Sequence, residues 1–350
     1  MKQQIGTSLK GDLSEALKGI INPAIIILLS NKSKFEKHVK ELEQLYPGTP
    51  SIGCICASYS KNSTIENGLT VIAFSGCVRV ATNVILQLST TPVKYISRVE
   101  EDIRKVQAEP ENTVCIDFAT GNDSRLMTTL GSVLEPKNIS LVGATIEHNM
   151  VSCNGIIYED ACTYALIKNN GKMRTYKETI FKPTDLKMAI TKADSKNYIL
   201  YELNGKAAES VYCDYLNISP KEIVTQAYQN PLGKWVGDEF YIMAIQQFQG
   251  KALKCFKRIN NTDIISILEL DDYKQAVNNT IAKIQKDIHH ISGIFSINCG
   301  SRYLFFNEKN YWTDYLKTMN SYDNHSGLIA AGEHFNSQHV NQTMVCFVFE

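Results

Sequence analysis

The residue types best suited to recognition chemistry gather toward the C-terminal end of the chain. Arg302 carries a planar fork that can grip a carboxylate, Glu333 can take an ammonium group, and Asn341 and Thr343 supply neutral hydrogen bonds. Together the four would suit a zwitterion. The same Arg and Glu can equally form a purely structural buried pair, and both readings stay open. Cys299 stands just before Arg302, whose charge would lower a thiol pKa if the two groups were close. A catalytic thiol would also need a histidine, for which His334 and His339 lie in the right segment; the competing reading is a packed thiol. Together with His325, these histidines are spaced by nine and five residues, which matches no common metal-ligand pattern.

The usual warrants for catalysis are missing from the sequence. It contains no G-x-S-x-G, H-E-x-x-H, P-loop or G-x-G-x-x-G, so the expectation is a binding protein and not an enzyme. Lysine plus arginine equals aspartate plus glutamate at 36 each, which gives no electrostatic preference for nucleic acid or an anionic membrane. The most apolar early stretch, Ala24–Leu29, is far shorter than the roughly 20 residues of a membrane span. Ten cysteines are scattered without a single C-x-x-C, mostly inside apolar runs such as Thr113-Val114-Cys115-Ile116. That argues against disulfides and zinc and for free thiols in a reducing compartment, the cytoplasm.

The frame that must position these residues emerges when the apolar runs are aligned, because one order of elements recurs. In the first copy Ala24–Leu29 predicts a buried strand, Lys34–Tyr46 an amphipathic helix, Pro50–Cys54 a second strand ending at Gly53, and Gly68–Phe74 a third. The second copy repeats this with Val114–Phe118, a helix over Arg125–Leu134, Leu141–Ala144 and Ala161–Ile167. The interval from Ile25 to Gly53 equals that from Cys115 to Gly143, 28 residues. A third copy runs from Gly293–Ser296 through a helix at Trp312–Met319 and a strand Leu328–Gly332 to Thr343–Phe349, with a longer spacing. Glycine at such strand ends allows a positive φ or the close approach of another group. Further on, Tyr198–Leu203 predicts a strand and Lys206–Leu216 a helix. The charged, proline-marked stretch 177–196 predicts a link between halves, and 272–290 a long amphipathic helix. The result is a mixed α/β (α+β) protein whose repeated strand-helix-strand-strand units form mixed sheets with helices packed on them.

Three ordered motifs in the second half resemble the FIST C-terminal region. Tyr201-Glu202-Leu203-Asn204-Gly205-Lys206-Ala207-Ala208, followed by Tyr212, is similar to its Y-x-[L/V]-[D/N]-G-x-x-A…Y opening. Phe295-Ser296-Ile297-Asn298-Cys299-Gly300-Ser301-Arg302 is similar to F-S-C-x-x-R with two extra residues before the cysteine. Gly332-Glu333 with Asn341-Gln342-Thr343 is similar to the terminal G-E…N-x-T. The first half resembles the FIST N-terminal region through Ser51-Ile52-Gly53-Cys54, Gly68-Leu69-Thr70-Val71 and Leu141-Val142-Gly143-Ala144. It departs at Cys56-Ala57-Ser58-Tyr59 and at Ala144, which replaces one glycine of a usual pair.

The resemblance implies a FIST N-terminal domain over 1–190 and a FIST C-terminal domain over 191–350, standing alone without an output domain. It implies a sensory module for a small ligand such as an amino acid, read by a separate partner: a chemoreceptor, a histidine kinase or a cyclic-dinucleotide enzyme. Asn204, Tyr212 and Cys299, which stand in the matching motifs, join Arg302, Glu333, Asn341 and Thr343 as ligand-contact candidates. No cofactor is expected on the main reading. Some relatives hold haem through a histidine to sense nitric oxide; on that alternative His148 or His334 would be the axial ligand, and the haem would be non-covalent because no C-x-x-C-H is present. A second alternative is an interaction module without ligand, using exposed aromatic side chains such as Trp235 and Trp312.

Overall fold

A computed structural model describes residues 1–121, 123–321 and 324–350. The chain divides into two units: Met1–Glu178 with Val277–Gln338 and Met344–Glu350, and Thr179–Ala276 with His339–Thr343.

The first unit is built from the three expected copies. In each, two parallel strands are joined by a helical crossover, and a third strand returns antiparallel on the other side of the first. Copy one comprises Ile25–Ser30, the helix Phe35–Leu45, Ser51–Ile55 and Leu69–Ser75. Copy two comprises Thr113–Ala119, the helix Asp123–Leu134, Ser140–Thr145 and Ala161–Lys168. Copy three comprises Gly293–Cys299, the helices Gly300–Glu308 and Trp312–Met319, His325–Ala330 and Thr343–Phe349. The additional helix accounts for its longer spacing. The first strand of each copy is buried along its whole length, which is why it reads as a nearly unbroken apolar run instead of an alternating one. Helices close one face: Phe35, Val39 and Leu42 pack with Ile26 and Leu28, and Leu126, Leu130 and Val133 with Cys115 and Leu141.

Strand register corrects the alignment of the copies. The second-strand glycine faces Leu28 in copy one, Asp117 in copy two and Ser296 in copy three, through the pairs Leu28–Gly53, Asp117–Gly143 and Ser296–Gly327. Ile25 therefore corresponds to Val114 and not to Cys115, so the matching intervals of 28 residues were one residue out of register. The equivalent glycine of copy three is Gly327; Gly332 opens the next strand, Gly332–Phe335.

Between its second and third strands each copy sends a hairpin to the sheet of another copy. Ser58–Ser60 of copy one pairs antiparallel with His325–Ala330 of copy three, Gly332–Phe335 of copy three with Ser140–Thr145 of copy two, and Met150–Cys153 of copy two with Ser51–Ile55 of copy one. The exchange closes a ring. A Cβ on Gly327 would stand 1.9 Å from the Ser296 carbonyl oxygen and 2.5 Å from the Tyr59 hydroxyl. One on Gly143 would stand 1.7 Å from Asp117 Oδ1, and one on Gly53 2.7 Å from Ser152 Oγ. None of the three glycines has a positive φ. Close approach, not backbone freedom, is what demands glycine at these positions.

The second unit is an antiparallel sheet in the order Glu239–Met243, Leu232–Val236, Ile264–Leu270, Phe181–Asp194, Ile199–Leu203, Ala252–Cys255 and Ile245–Gln249. Its core gathers Met188, Ile190, Leu200, Leu203, Leu232, Ile265 and Ile267 beneath the helix Ala208–Leu216. The stretch expected as a link is instead this unit's central strand, Phe181–Asp194, which pairs with Ile264–Leu270 through its first part and with Ile199–Leu203 through its second. The 190/191 boundary falls inside it. Lys182, Asp185, Lys187 and Lys192 lie exposed while Met188 and Ile190 are buried. A register shift after Pro183 accommodates the proline. Asn204 and Gly205, with φ of 51° and 78°, form the tight turn between Ile199–Leu203 and a two-residue strand, Lys206–Ala207. That pairing delays the helix expected from Lys206 to Ala208. The long helix expected over 272–290 forms as Tyr273–Asp287. Among the described residues, no helix is long and apolar enough to cross a membrane.

Because the nearest obstacle at Gly327 is a backbone carbonyl that cannot rotate away, Gly327→Ala should destabilise the first unit by about 3 kcal/mol, the upper end of overpacking costs. Denaturant unfolding should show this as a lower midpoint with an unchanged slope.

Candidate functional site

The notch beside each second-strand glycine brings a first-strand side chain together with one from the incoming hairpin. In copy one the pair is Leu28 and Ser152; in copy two, Asp117 and His334; in copy three, Ser296 and Tyr59. The frame is common, and its contents have diverged.

In copy three the notch opens a buried polar network. The Tyr59 hydroxyl donates to the Ser296 carbonyl at 2.8 Å and lies 2.8 Å from Ser296 Oγ, which lies 2.6 Å from His325 Nε2. Asn298, two residues along the same strand, donates through Nδ2 to the hydroxyls of Tyr59 and Tyr315 at 2.8 and 3.0 Å. Its Oδ1 accepts from Arg302 Nε at 3.1 Å, one helical turn on. The Arg302 guanidinium is buried, lies 4.4 Å from the Phe306 ring centroid, and pairs through Nη2 with Glu178 Oε1. Its carboxylate partner is thus Glu178. Arg302 Nη1, Glu178 Oε2 and His325 Nδ1 are buried without a hydrogen-bond partner among the described residues.

In copy two, Asp117 Oδ2 lies 2.8 Å from His334 Nδ1, and His334 Nε2 lies 2.9 Å from Thr145 Oγ1, whose hydroxyl donates to Asp123 Oδ2 at 2.8 Å. With the imidazole protonated, both ring nitrogens donate and the relay is complete. An iron ligand at His334 would have to displace one of these two contacts, so the haem alternative does not fit that residue as it stands. His148 lies half-buried between Ser140–Thr145 and Met150–Cys153.

The remaining candidates fall in both units. Glu333 is buried in the exchange strand opposite Ala144, and Cys299 is buried at the N-cap of the helix that carries Arg302. In the second unit Tyr212 is buried with its hydroxyl donating to the Asn230 carbonyl at 2.7 Å, while Asn204 is an exposed turn residue. Asn341 and Thr343 are buried in the segment His339–Thr343. Trp312, expected on the surface, is instead buried and donates to Thr64 Oγ1 at 2.8 Å. A cleft of about 1150 Å³ lies elsewhere, between residues 7–18 and the helix Phe35–Leu45. Its polar groups are engaged locally: Lys34 Nζ with the Lys10 and Gly11 carbonyls, Glu15 with Ser8, and His38 with Ser30 and Gly11.

Asp117, Asn298, Tyr59 and Glu178 were not singled out from sequence. The signal was present for two of them: a carboxylate inside Thr113–Ala119 and an amide inside Gly293–Cys299 interrupt runs that are otherwise almost wholly buried and apolar, and such groups must be paired.

Two buried histidines load the stability with opposite pH dependence. Burial pushes His325 down from 6.5 to about 3, so it is neutral when folded. Between these values the unfolded chain binds the extra proton, and stability falls as the pH falls, by up to about 1.4 kcal/mol per pH unit. For His334, burial disfavours the charge, but the Asp117 carboxylate beside it, supported by Asp123 and Glu333, outweighs burial and raises the pKa above 6.5. Its contribution is complete below the unfolded value and is lost as the pH rises through the folded one. Urea unfolding across pH 4–9 should therefore show the acid limb flattened in His325→Gln and the alkaline limb flattened in His334→Gln. Separately, Glu178→Ala should cost about 3 to 5 kcal/mol by stranding the Arg302 charge, and Glu178→Leu combined with Arg302→Met should recover much of it.

The FIST N domain family matches residues 24–206 and the FIST C domain family residues 208–336. No curated protein matches the chain. The two matches follow one another along most of the sequence, and the chain belongs to the FIST family, whose domains are small-ligand sensory domains of signalling proteins.

Proposed function

We propose that this protein is a cytoplasmic sensory module for an amino acid or a similar small metabolite. Its bound state is passed to a partner such as a chemoreceptor, a histidine kinase or a cyclic-dinucleotide enzyme, and it is not itself an enzyme. Beyond family membership, the observation that carries this reading is a set of buried polar atoms without hydrogen-bond partners among the described residues: Arg302 Nη1 and Glu178 Oε2 in the first unit, Asn341 Oδ1 and Gln342 Oε1 in the second. A buried donor or acceptor left unsatisfied costs about 1 to 3 kcal/mol, which a polar ligand of matching shape recovers on binding. The ten cysteines are all free thiols, in keeping with a reducing compartment.

A thermal-shift screen of the purified protein against the twenty L-amino acids, small organic acids and haemin tests the reading. A binder present at a hundred times its dissociation constant adds about 2.7 kcal/mol and raises the melting temperature by several degrees. One amino acid or acid should do so. A Soret band in the purified protein or with haemin would replace this reading by the haem sensor, and a complete absence of shifts would leave the protein-interaction module.

A further inference from the structure

Two cysteines stand in contact at the point where the first copy hands its hairpin to the third. Cys54 lies in the buried strand Ser51–Ile55, and Cys56 follows that strand directly. Their Sγ atoms are 3.7 Å apart, and both are free thiols. Ile55 between them packs in the cluster of the helix Phe35–Leu45, so strand alternation turns both thiols to the opposite face. The Cys56 N–H donates to the Ser30 carbonyl at 3.1 Å and extends the parallel ladder by one residue. Next along the chain, the Ala57 carbonyl accepts from the Ile329 N–H at 2.9 Å, and Ser58–Ser60 pairs with the third copy's strand. The two sulfurs therefore sit where one sheet ends and the exchange begins. Exposure separates their roles. Eight of the ten cysteines are buried, Cys54 among them, whereas Cys56 is half-buried and Cys77 exposed. Burial pushes the Cys54 thiol well up, and the neighbouring Cys56 sulfur adds to this. Cys56 is thus the thiol of the pair that an oxidant meets first, and Cys54 the neighbour that resolves the adduct.

We propose that Cys54 and Cys56 form a reversible redox couple, in which a low-molecular-weight disulfide converts the two thiols to an intramolecular disulfide and loosens the exchanged hairpin. The Cys56 thiolate attacks one sulfur of R–S–S–R; that S–S bond breaks, R–S⁻ leaves, and Cys56 carries a mixed disulfide. Cys54 gives up its proton, its sulfur attacks Cys56 Sγ, and the second R–S⁻ leaves. The two protons released by the cysteines end on the two departing thiolates, so two protein thiols are oxidised and one small disulfide is reduced to two thiols. Two residues apart in an extended chain, Cα atoms stand about 6.6 Å from each other, near the upper limit of about 6.8 Å that a disulfide spans. Closing the bond draws Cys54 and Cys56 together, and the Ala57–Ile329 hydrogen bond and the Ser58–Ser60 pairing take up the pull. A bond held in this way is easily reduced, which suits a transient sensor in a reducing compartment and not a permanent crosslink. The couple needs no small-molecule ligand and stands apart from the sensory reading.

The test is treatment of the folded full chain with oxidised glutathione, followed by alkylation, trypsin digestion and mass spectrometry. Cleavage after Lys40 and Lys61 yields one peptide, 41–61, that holds both cysteines. In the wild type this peptide should lose two hydrogens, resist alkylation, and recover both thiols on incubation with excess reduced glutathione. Cys54→Ser should stop at the Cys56 mixed disulfide, and Cys56→Ser should leave Cys54 unoxidised. In the oxidised wild type, backbone amides of 58–60 and 326–328 should exchange with deuterium roughly tenfold faster, the effect of losing about one hydrogen bond. The wild-type measurements stand even if a variant fails to fold. A glutathione adduct that persists on wild-type Cys56, a peptide with both thiols unreacted, or a bond that excess glutathione fails to reopen overturns the couple. Unchanged exchange in the oxidised protein overturns its link to the hairpin.

Discussion

The first unit depends on three glycines at which one strand has no room for a side chain. At Gly53, Gly143 and Gly327 the space a Cβ would fill is already taken by Ser152, Asp117 and the Ser296 carbonyl. Only with that space surrendered can a hairpin from another copy lie against the second strand, and only through those hairpins do three similar units become one body. The close approach also decides what meets at each notch, because the side chain that enters comes from a different copy than the strand it joins. Tyr59 reaches Ser296, and His334 reaches Asp117, across sequence separations of more than two hundred residues. Contacts of that range follow from the exchange and from nothing local.

The contents of the notches differ in kind. Copy one holds a leucine and a serine, copy two a carboxylate and an imidazole, and copy three a hydroxyl pair that leads on to Asn298, Arg302 and Glu178. A symmetric ring of equal units has no reason to differentiate its interior for stability alone. Cores accept many hydrophobic solutions of the right volume, and each buried charge carries a desolvation cost that its partner only offsets. The second unit repeats the contrast in another form: an antiparallel sheet with an apolar core, and polar side chains gathered where His339–Thr343 enters it.

Much of this was legible in the sequence, and the boundary of legibility has a physical cause. The three copies were found because a strand buried on both faces leaves an unbroken apolar run and a crossover helix leaves a 3.6-residue period. Gly53 and Gly143 are visible in the sequence as glycines closing or interrupting apolar runs. What escaped was whatever depends on the partner strand. The 28-residue coincidence misassigned Cys115 because register is a property of pairing, and period alone cannot fix it. In the third copy the glycine that closes the apolar run in the sequence is Gly332, whereas the one that faces the first strand, Gly327, lies ahead of that run. Residues 177–196 look like a link in the sequence because one face of a half-exposed strand shows lysines and aspartate, and the inward Met188 and Ile190 are too few to announce it. Among the site residues, Arg302 was visible as a fork in search of a carboxylate, but Glu178 lies 124 residues away in sequence and is brought to it only by the fold.

The polar pairs make best sense as a code for correct exchange. Three similar hairpins must choose among three similar second strands, and an apolar side chain at every notch would make the wrong pairings nearly as good as the right ones. With the residues present, they are not equivalent. Ser152 or Tyr59 opposite Gly143 would leave the Asp117 carboxylate buried without its imidazole, and a buried charge stripped of its partner is worth several kcal/mol against that arrangement. His334 opposite Gly53 would face Leu28 and lose both of its ring contacts. Tyr59 displaced from Gly327 would abandon Ser296 and Asn298 together. A slip of one residue in any hairpin is penalised in the same way, since it turns the pairing side chain to the opposite face of the strand. The buried charges add little net stability where they stand, yet they make each alternative costly, and a ring built from near-copies requires that discrimination before it can hold any site at all.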